Sequence, residues 1–378
     1  MNYLNFEAQK LLIPNPVLSN TLIFFALVCI AGITIVRKKN NFLDRTQTDQ
    51  LKGIAILFVV TGHLWSHVSL DGNVPNFAGY AVALFLLLSG YGLTRSWQKK
   101  PLTAREFAGR RIGRVMVPYW IATICILSLD YWLLDRQYSL VEICSTFCGL
   151  NFKHSLRYLD YTRWYITLIL IFYCVFFLAN RSLRPLTALF SLFLFSLSLF
   201  VLRRMDIFPF GGLFHFIAFP LGCLIACLYT PQNVAFINRK LPLAILLAVT
   251  LLGAVLCNKV MPGLNESGAV AKLTKLFVSN AKPILLCVLL IAVFGLLGTF
   301  KICSRFFMFC GMVSYEIYLL HGPLLIKYNP IFPYFSSNYI VVGYLVFLSF
   351  ILALSYMFKL FHEYVFTLTC KLFSVRRG

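Results

Sequence analysis

Lys52 and His63 stand eleven residues apart, and the run between them, Gly53 to Gly62, carries no ionisable group. On a helix that spacing is about 16 Å, so a cation at the start of an apolar segment is followed near mid-membrane by an imidazole that exchanges protons near neutral pH. His67 follows at i+4 on the same face. Further along, Ser89-Gly90 breaks an apolar run, Arg111 and Arg114 recur at i, i+3 before Pro118-Tyr119-Trp120, and Glu316 and His321 share the run Ser314-Tyr315-Glu316-Ile317-Tyr318-Leu319-Leu320-His321. Two guanidinium groups on one helical face can meet a single anionic group at the membrane surface. The chemistry on offer is proton transfer in an apolar environment beside a polyanion clamp.

Each of these residues also has a plainer use. A histidine within a span serves as an interhelical hydrogen-bond partner, and Glu316 is either a proton relay or the packed partner of a residue such as His63 or a tyrosine. Ser89 lacks the Gly-x-Ser-x-Gly elbow of a strained nucleophile, so close helix packing is its first reading. Trp65, Trp164 and Tyr165 suit an interfacial aromatic belt as well as a face on which a sugar stacks. Most of the twelve cysteines lie in apolar segments, and the helical pairs Cys144/Cys148 and Cys223/Cys227 have no histidine at zinc spacing. They read as small hydrophobes, and no metal site is expected.

The elements that must position these groups are membrane helices. With 60% hydrophobic and 12% charged residues, the chain departs from soluble domains, in which about a quarter of residues are charged. The formal charge of +21 does not imply a nucleic-acid partner, because the basic residues fall in short runs between apolar segments. They read as topology signals and as contacts to anionic membrane lipids. Apolar segments at about 18–36, 51–70, 77–96, 115–134, 161–179, 187–202, 212–229, 241–258, 282–300, 306–326 and 338–360 predict an all-α, polytopic bundle of about eleven spans. The first ends in Arg37-Lys38-Lys39 and has no small-residue cleavage site, so it is expected to stay as an anchor. With the N-terminus outside and the C-terminus inside, 22 of the 34 Lys and Arg residues fall on the inner side, in line with the positive-inside rule. The expected organisation is an extension with one extra helix over 1–43, a ten-span core over 44–365 and a basic cytoplasmic tail over 366–378.

In this order the motifs resemble those of the acyltransferase family 3 membrane proteins. The residues that carry the resemblance are Asp49-Gln50-Leu51-Lys52-Gly53-Ile54-Ala55 with His63, Leu84-Phe85-Leu86-Leu87-Leu88-Ser89-Gly90-Tyr91, Arg111-Ile112-Gly113-Arg114 with Pro118-Tyr119-Trp120, Trp164-Tyr165, and the run from Ser314 to His321. It covers about residues 44–365. It implies a ten-span enzyme of the bacterial cytoplasmic membrane that moves an acyl group, often acetyl, from acyl-CoA on the inner side to a hydroxyl of a carbohydrate or glycolipid. No tightly bound cofactor is implied; acetyl-CoA or another acyl-CoA is a co-substrate. By this resemblance Lys52 and His63 map onto the family's basic residue and histidine, with His63 as catalytic general base, and Lys52, Arg111 and Arg114 are expected to bind the donor. The residues themselves add Glu316 as a second catalytic candidate and His67, Ser89, Trp164, Tyr165 and His321 as acceptor or pocket residues. Two positions depart from the family's pattern: Lys52 stands where arginine is usual, without its bidentate fork, and Glu316 stands where a small polar residue is expected.

A proton-coupled transporter or lipid-linked sugar flippase would use the same buried His63 and Glu316 as a relay. Such transporters carry two matching halves with interrupted spans, and the sequence predicts neither.

Overall fold

The computed structural model describes residues 10–70, 74–151, 159–204, 214–260 and 269–375. Residues 1–9, 71–73, 152–158, 205–213, 261–268 and 376–378 lie outside the described residues. Among the described residues fifteen α-helices are defined: α1 (Pro16–Ile33), α2 (Arg45–His63), α3 (Ala78–Lys99), α4 (Ala104–Arg111), α5 (Val117–Leu134), α6 (Leu140–Phe147), α7 (Trp164–Ser182) and α8 (Pro185–Arg204) make the first half. The rest are α9 (Phe214–Cys227), α10 (Pro231–Ile237), α11 (Lys240–Val260), α12 (Ala269–Thr299), α13 (Arg305–Met312), α14 (Ser314–Gly322) and α15 (Ile340–Val375). Among the described residues, nine helices are long and apolar enough to cross a membrane, or eleven spans when each of two bent helix pairs counts as one. The protein is an integral, multi-pass helical bundle.

The bends depart from the sequence reading. The span expected over 306–326 is broken at Val313, where α13 meets α14 at 65°, and α9 meets α10 at 108°. Two further spans carry π-helical turns, Leu64–Val68 directly after His63 and Ile112–Met116 between α4 and α5. The second turn ends just before Pro118, whose missing N–H cannot close an α-helical bond, and a wider turn absorbs that gap. His63 is the last α-helical residue of the nineteen-residue α2, and the same span continues through the π-helical turn to Val68.

What sets the helices around the site is backbone contact through glycine. A Cβ added to Gly90 of α3 would lie 2.1 Å from the Phe219 carbonyl oxygen, and one added to Gly222 of α9 would lie 1.9 Å from that of Leu87. The pair α2 and α13 is built the same way, with Gly53 against the Phe307 carbonyl and Gly311 against that of Asp49. Small residues therefore let both pairs pack main chain to main chain, as small-residue seams do in membranes. This is the role expected of the Ser89-Gly90 break. Gly222→Ala is expected to destabilise the protein by about 1–3 kcal/mol, the usual range for overpacking. Gly92→Ala, whose methyl group would meet nothing within 4 Å, should be neutral or stabilising. Thermal unfolding of the two variants in detergent checks this, and equal midpoints would refute it.

The N-terminal helix α1 exposes Val17, Leu18, Leu22, Phe25 and Val28 and buries only one edge. On that edge Asn20 accepts a hydrogen bond from the Trp65 indole at 2.8 Å, and Phe24 packs edge-on against Phe58 of α2 with ring centres 5.6 Å apart. Before α1, Leu11 pairs its backbone with Val68 and Leu70, so the same extension holds the turn that follows His63. After α1, a short strand β1 (Ile35–Arg37) pairs antiparallel with β2 (Ile302–Ser304), in the register Val36 opposite Cys303.

Candidate active site

One cavity of about 860 Å³ runs through the bundle. Lys52, Arg111 and Arg114 line one end together with Arg45 and Lys359; His63 and His321 line it further along with Thr162 and Trp164; Phe85, Ser89, Tyr165, Tyr173, Tyr315 and Tyr318 complete the wall. Every candidate residue read from the sequence borders this space except His67 and Trp65, whose indole is turned to Asn20. The His67 ring centre lies 5.7 Å from that of His63. It keeps ring contact with His63 at i+4 but stands outside the cavity lining.

At the histidine end the ring centres of His63 and His321 are 5.2 Å apart. His321 is fully buried, and its Nδ1 lies 3.0 Å from the Ile317 carbonyl oxygen and 2.9 Å from that of Tyr318. Carbonyl oxygens only accept, so Nδ1 carries the proton and Nε2 presents its lone pair. That Nε2 atom has no hydrogen-bond partner in the protein. A buried base of fixed tautomer thus faces the same space as His63, a pairing that linear sequence could not show.

The wall behind it rests on a buried ion pair that sequence reading missed. Arg163 and Asp160 approach to 3.4 Å with both side chains 1% exposed. Arg163 also donates to Thr123 Oγ1 at 2.5 Å and lies over the Tyr119 ring at 4.9 Å. Asp160 Oδ1 accepts from the Thr162 amide at 2.9 Å and its hydroxyl at 2.7 Å, and packs directly on Gly322, next to His321. Arg163 falls near the start of the apolar segment expected over 161–179, and its spacing marked it as no candidate. Tyr318 donates to the Thr162 carbonyl at 2.8 Å and Tyr315 to that of Val115 at 2.8 Å, tying α14 to the start of α7 and to the turn before α5. A second buried carboxylate, Asp130, accepts from Lys327 at 2.5 Å, Tyr138 at 2.5 Å and Tyr328 at 2.7 Å. Burial and that carboxylate push the Tyr138 phenol above its ordinary value, which keeps it a donor.

At the cationic end the residues differ in how they are held. Lys52 is engaged by Asp49 at 3.2 Å. Arg111 lies over the rings of Tyr173 at 4.9 Å and Phe107 at 5.5 Å, and its buried Nε has no hydrogen-bond partner. Arg114 is exposed. Because Arg111 ends α4 and Arg114 lies in the π-helical turn, they do not share an α-helical face, yet both border the cavity. Glu316 falls in the first turn of α14 and pairs with neither His63 nor a tyrosine. Its Oε1 accepts from His362 Nε2 at 2.9 Å. His362 lies on α15, two residues past the end of the last predicted span, and its spacing gave no signal.

Fold and cavity together define a multi-pass membrane protein with a histidine-bearing chamber between its helices. The acyltransferase domain of acyltransferase family 3 matches residues 45–360, and the chain belongs to that family: it is a membrane acyltransferase. Comparison with curated proteins and with solved structures gives no match. Although α13 and α14 form an interrupted span, family membership does not favour the transporter reading.

Proposed function

We propose that the protein transfers an acyl group, acetyl in the simplest case, from acyl-CoA bound at the cationic end to a hydroxyl of a carbohydrate or glycolipid that enters near His63. The observation that carries this reading is the match of length between cavity and donor. Lys52 and His63 both border the cavity, and eleven residues of helix separate them by about 16 Å. A pantetheine arm has about thirteen bonds from sulfur to its first phosphorus, which at roughly 1.25 Å projected per bond also gives about 16 Å. Phosphates among Arg111, Arg114 and Lys52 would thus set the thioester beside His63 and His321.

His63 takes the proton of the acceptor hydroxyl as its oxygen attacks the thioester carbonyl. The new C–O ester bond forms, the C–S bond breaks, and the proton passes to the departing thiolate to give free coenzyme A thiol. His321 Nε2, fixed as a lone-pair acceptor, stands beside this transfer and can hold the same proton in transit. Trp164 and Tyr165 offer flat faces for a sugar ring at that end. With the topology expected from the basic residues, the cationic end opens to the cytoplasm of a bacterial inner membrane.

The decisive experiment is release of free thiol from acetyl-CoA by purified protein in detergent with host glycan or glycolipid extract, paired with mass spectrometry of the host's surface glycans with and without the chain. Loss of one acetyl unit from the glycans without the chain is the expected result; unchanged glycans and no thiol release would overturn the reading. Within it, Arg111→Gln is expected to raise the donor KM about tenfold or more with little change in kcat, because a charge-assisted contact to phosphate acts mainly on donor binding. An unchanged donor KM would remove Arg111 from the donor site.

A further inference from the structure

We propose that Glu316 is a donor-binding residue whose second carboxylate oxygen accepts a hydrogen bond from the inner amide N–H of the pantetheine arm, the one formed by its β-alanine unit. This rests on the acyl-CoA reading above and assigns a partner to a residue which that reading leaves without a role.

Glu316 is 5% exposed and borders the cavity. One oxygen, Oε1, is held by His362 Nε2 at 2.9 Å, while the other, Oε2, is buried without a hydrogen-bond partner. A buried carboxylate oxygen left unpaired is expensive, and one that faces a ligand chamber is accounted for if the ligand supplies the donor. Phosphate offers only acceptors and negative charge, so the matching ligand group is an N–H or O–H. The distances favour an amide of the arm. Glu316 precedes His321 by one and a half turns of α14, about 7.5 Å along the axis. In an extended pantetheine the β-alanine nitrogen is seven bonds from sulfur, about 9 Å at the same projected length per bond. With the sulfur near His321, that N–H falls at the level of Glu316. The His362 contact then orients the carboxylate, and the cations that hold the phosphates lie beyond it.

The same carboxylate could instead carry protons, as first considered from the sequence. The two roles separate chemically. A glutamine whose NH2 group donates to His362 Nε2, with the imidazole protonated at Nδ1, keeps its single carbonyl oxygen free to accept from the arm's amide, but it cannot take up a proton near neutral pH.

The test compares two truncated donors, S-acetyl-N-(N-acetyl-β-alanyl)cysteamine and its analogue with an ester oxygen in place of the β-alanyl N–H. The unaltered protein is expected to use the amide donor at least about tenfold better in kcat/KM, the usual effect of losing a hydrogen bond to a charged group. Glu316→Ala should reduce that preference to within about twofold, and Glu316→Gln should keep most of it together with most of the activity. An unaltered protein that treats the two donors alike overturns the proposal, and this arm needs no variant to fold. A folded Glu316→Gln that is inactive with both donors overturns it in favour of proton transfer. A Glu316→Ala protein that retains the full preference also overturns it. If the unaltered protein releases thiol from no acyl-CoA, the acyl-CoA reading itself has failed; if it does so and Arg111→Gln raises the donor KM, the reading stands whatever Glu316 does.

Discussion

His63→Gln is expected to insert and fold like the parent chain but to transfer acyl groups at least about a hundredfold more slowly, within the range that acid–base groups supply. Glutamine can replace a histidine that only hydrogen-bonds across helices, since it both donates and accepts. It cannot replace one that takes up a proton. His67→Gln is the matched control, because His67 sits within 5.7 Å of His63, ring centre to ring centre, yet does not border the cavity. That variant should keep most of the activity. The measurement is thiol release from acetyl-CoA in the presence of acceptor, at matched protein levels. An active His63→Gln enzyme would pass the base role to His321, whose Nε2 lone pair opens on the same chamber.

Arg163→Met should destabilise the protein by about 3–5 kcal/mol, the usual result of removing one partner from a buried ion pair. Arg163 and Asp160 are each 1% exposed at the side chain, so water does not compensate either charge once the other is gone. Asp160→Asn added to that variant should recover part of the loss. Asparagine presents no charge, and its side-chain oxygen still accepts from the Thr162 amide and hydroxyl. Thermal or denaturant unfolding in detergent reads both effects. A fully additive double variant would mean that the two side chains do not act on each other.

Class and membrane architecture were legible in the sequence, because apolar length and the order of the motifs do not depend on tertiary contact. The long helices of the described residues fall where the apolar runs predict them, and most of the residues from Lys52 to His321 that looked chemical border one space. Less was legible wherever the backbone leaves the ideal α-helix. The break at Val313 placed Glu316 at a helix start, where a straight span would have put it mid-helix. Partners distant in sequence were the other gap. Nothing local connects Glu316 to His362, forty-six residues on, or His63 to His321. Arg163 shows the limit most plainly, since counting charges by loop treats a fully buried arginine and an exposed one alike.

The short sheet at the foot of the first helix bears on how the chain is made. Val36 emerges from the ribosome long before its partner Cys303, and the side-chain contact of Thr34 with Ser304 spans 270 positions. At about 5–20 residues per second, translation leaves β1 without its mate for roughly ten to fifty seconds. The first helix can dock early through Asn20 and Trp65, but its lower end is latched only once α12 has been inserted. Completion of that latch therefore marks a nearly finished bundle, and chains stalled before residue 302 would display an unpaired strand edge to the quality-control machinery of the membrane.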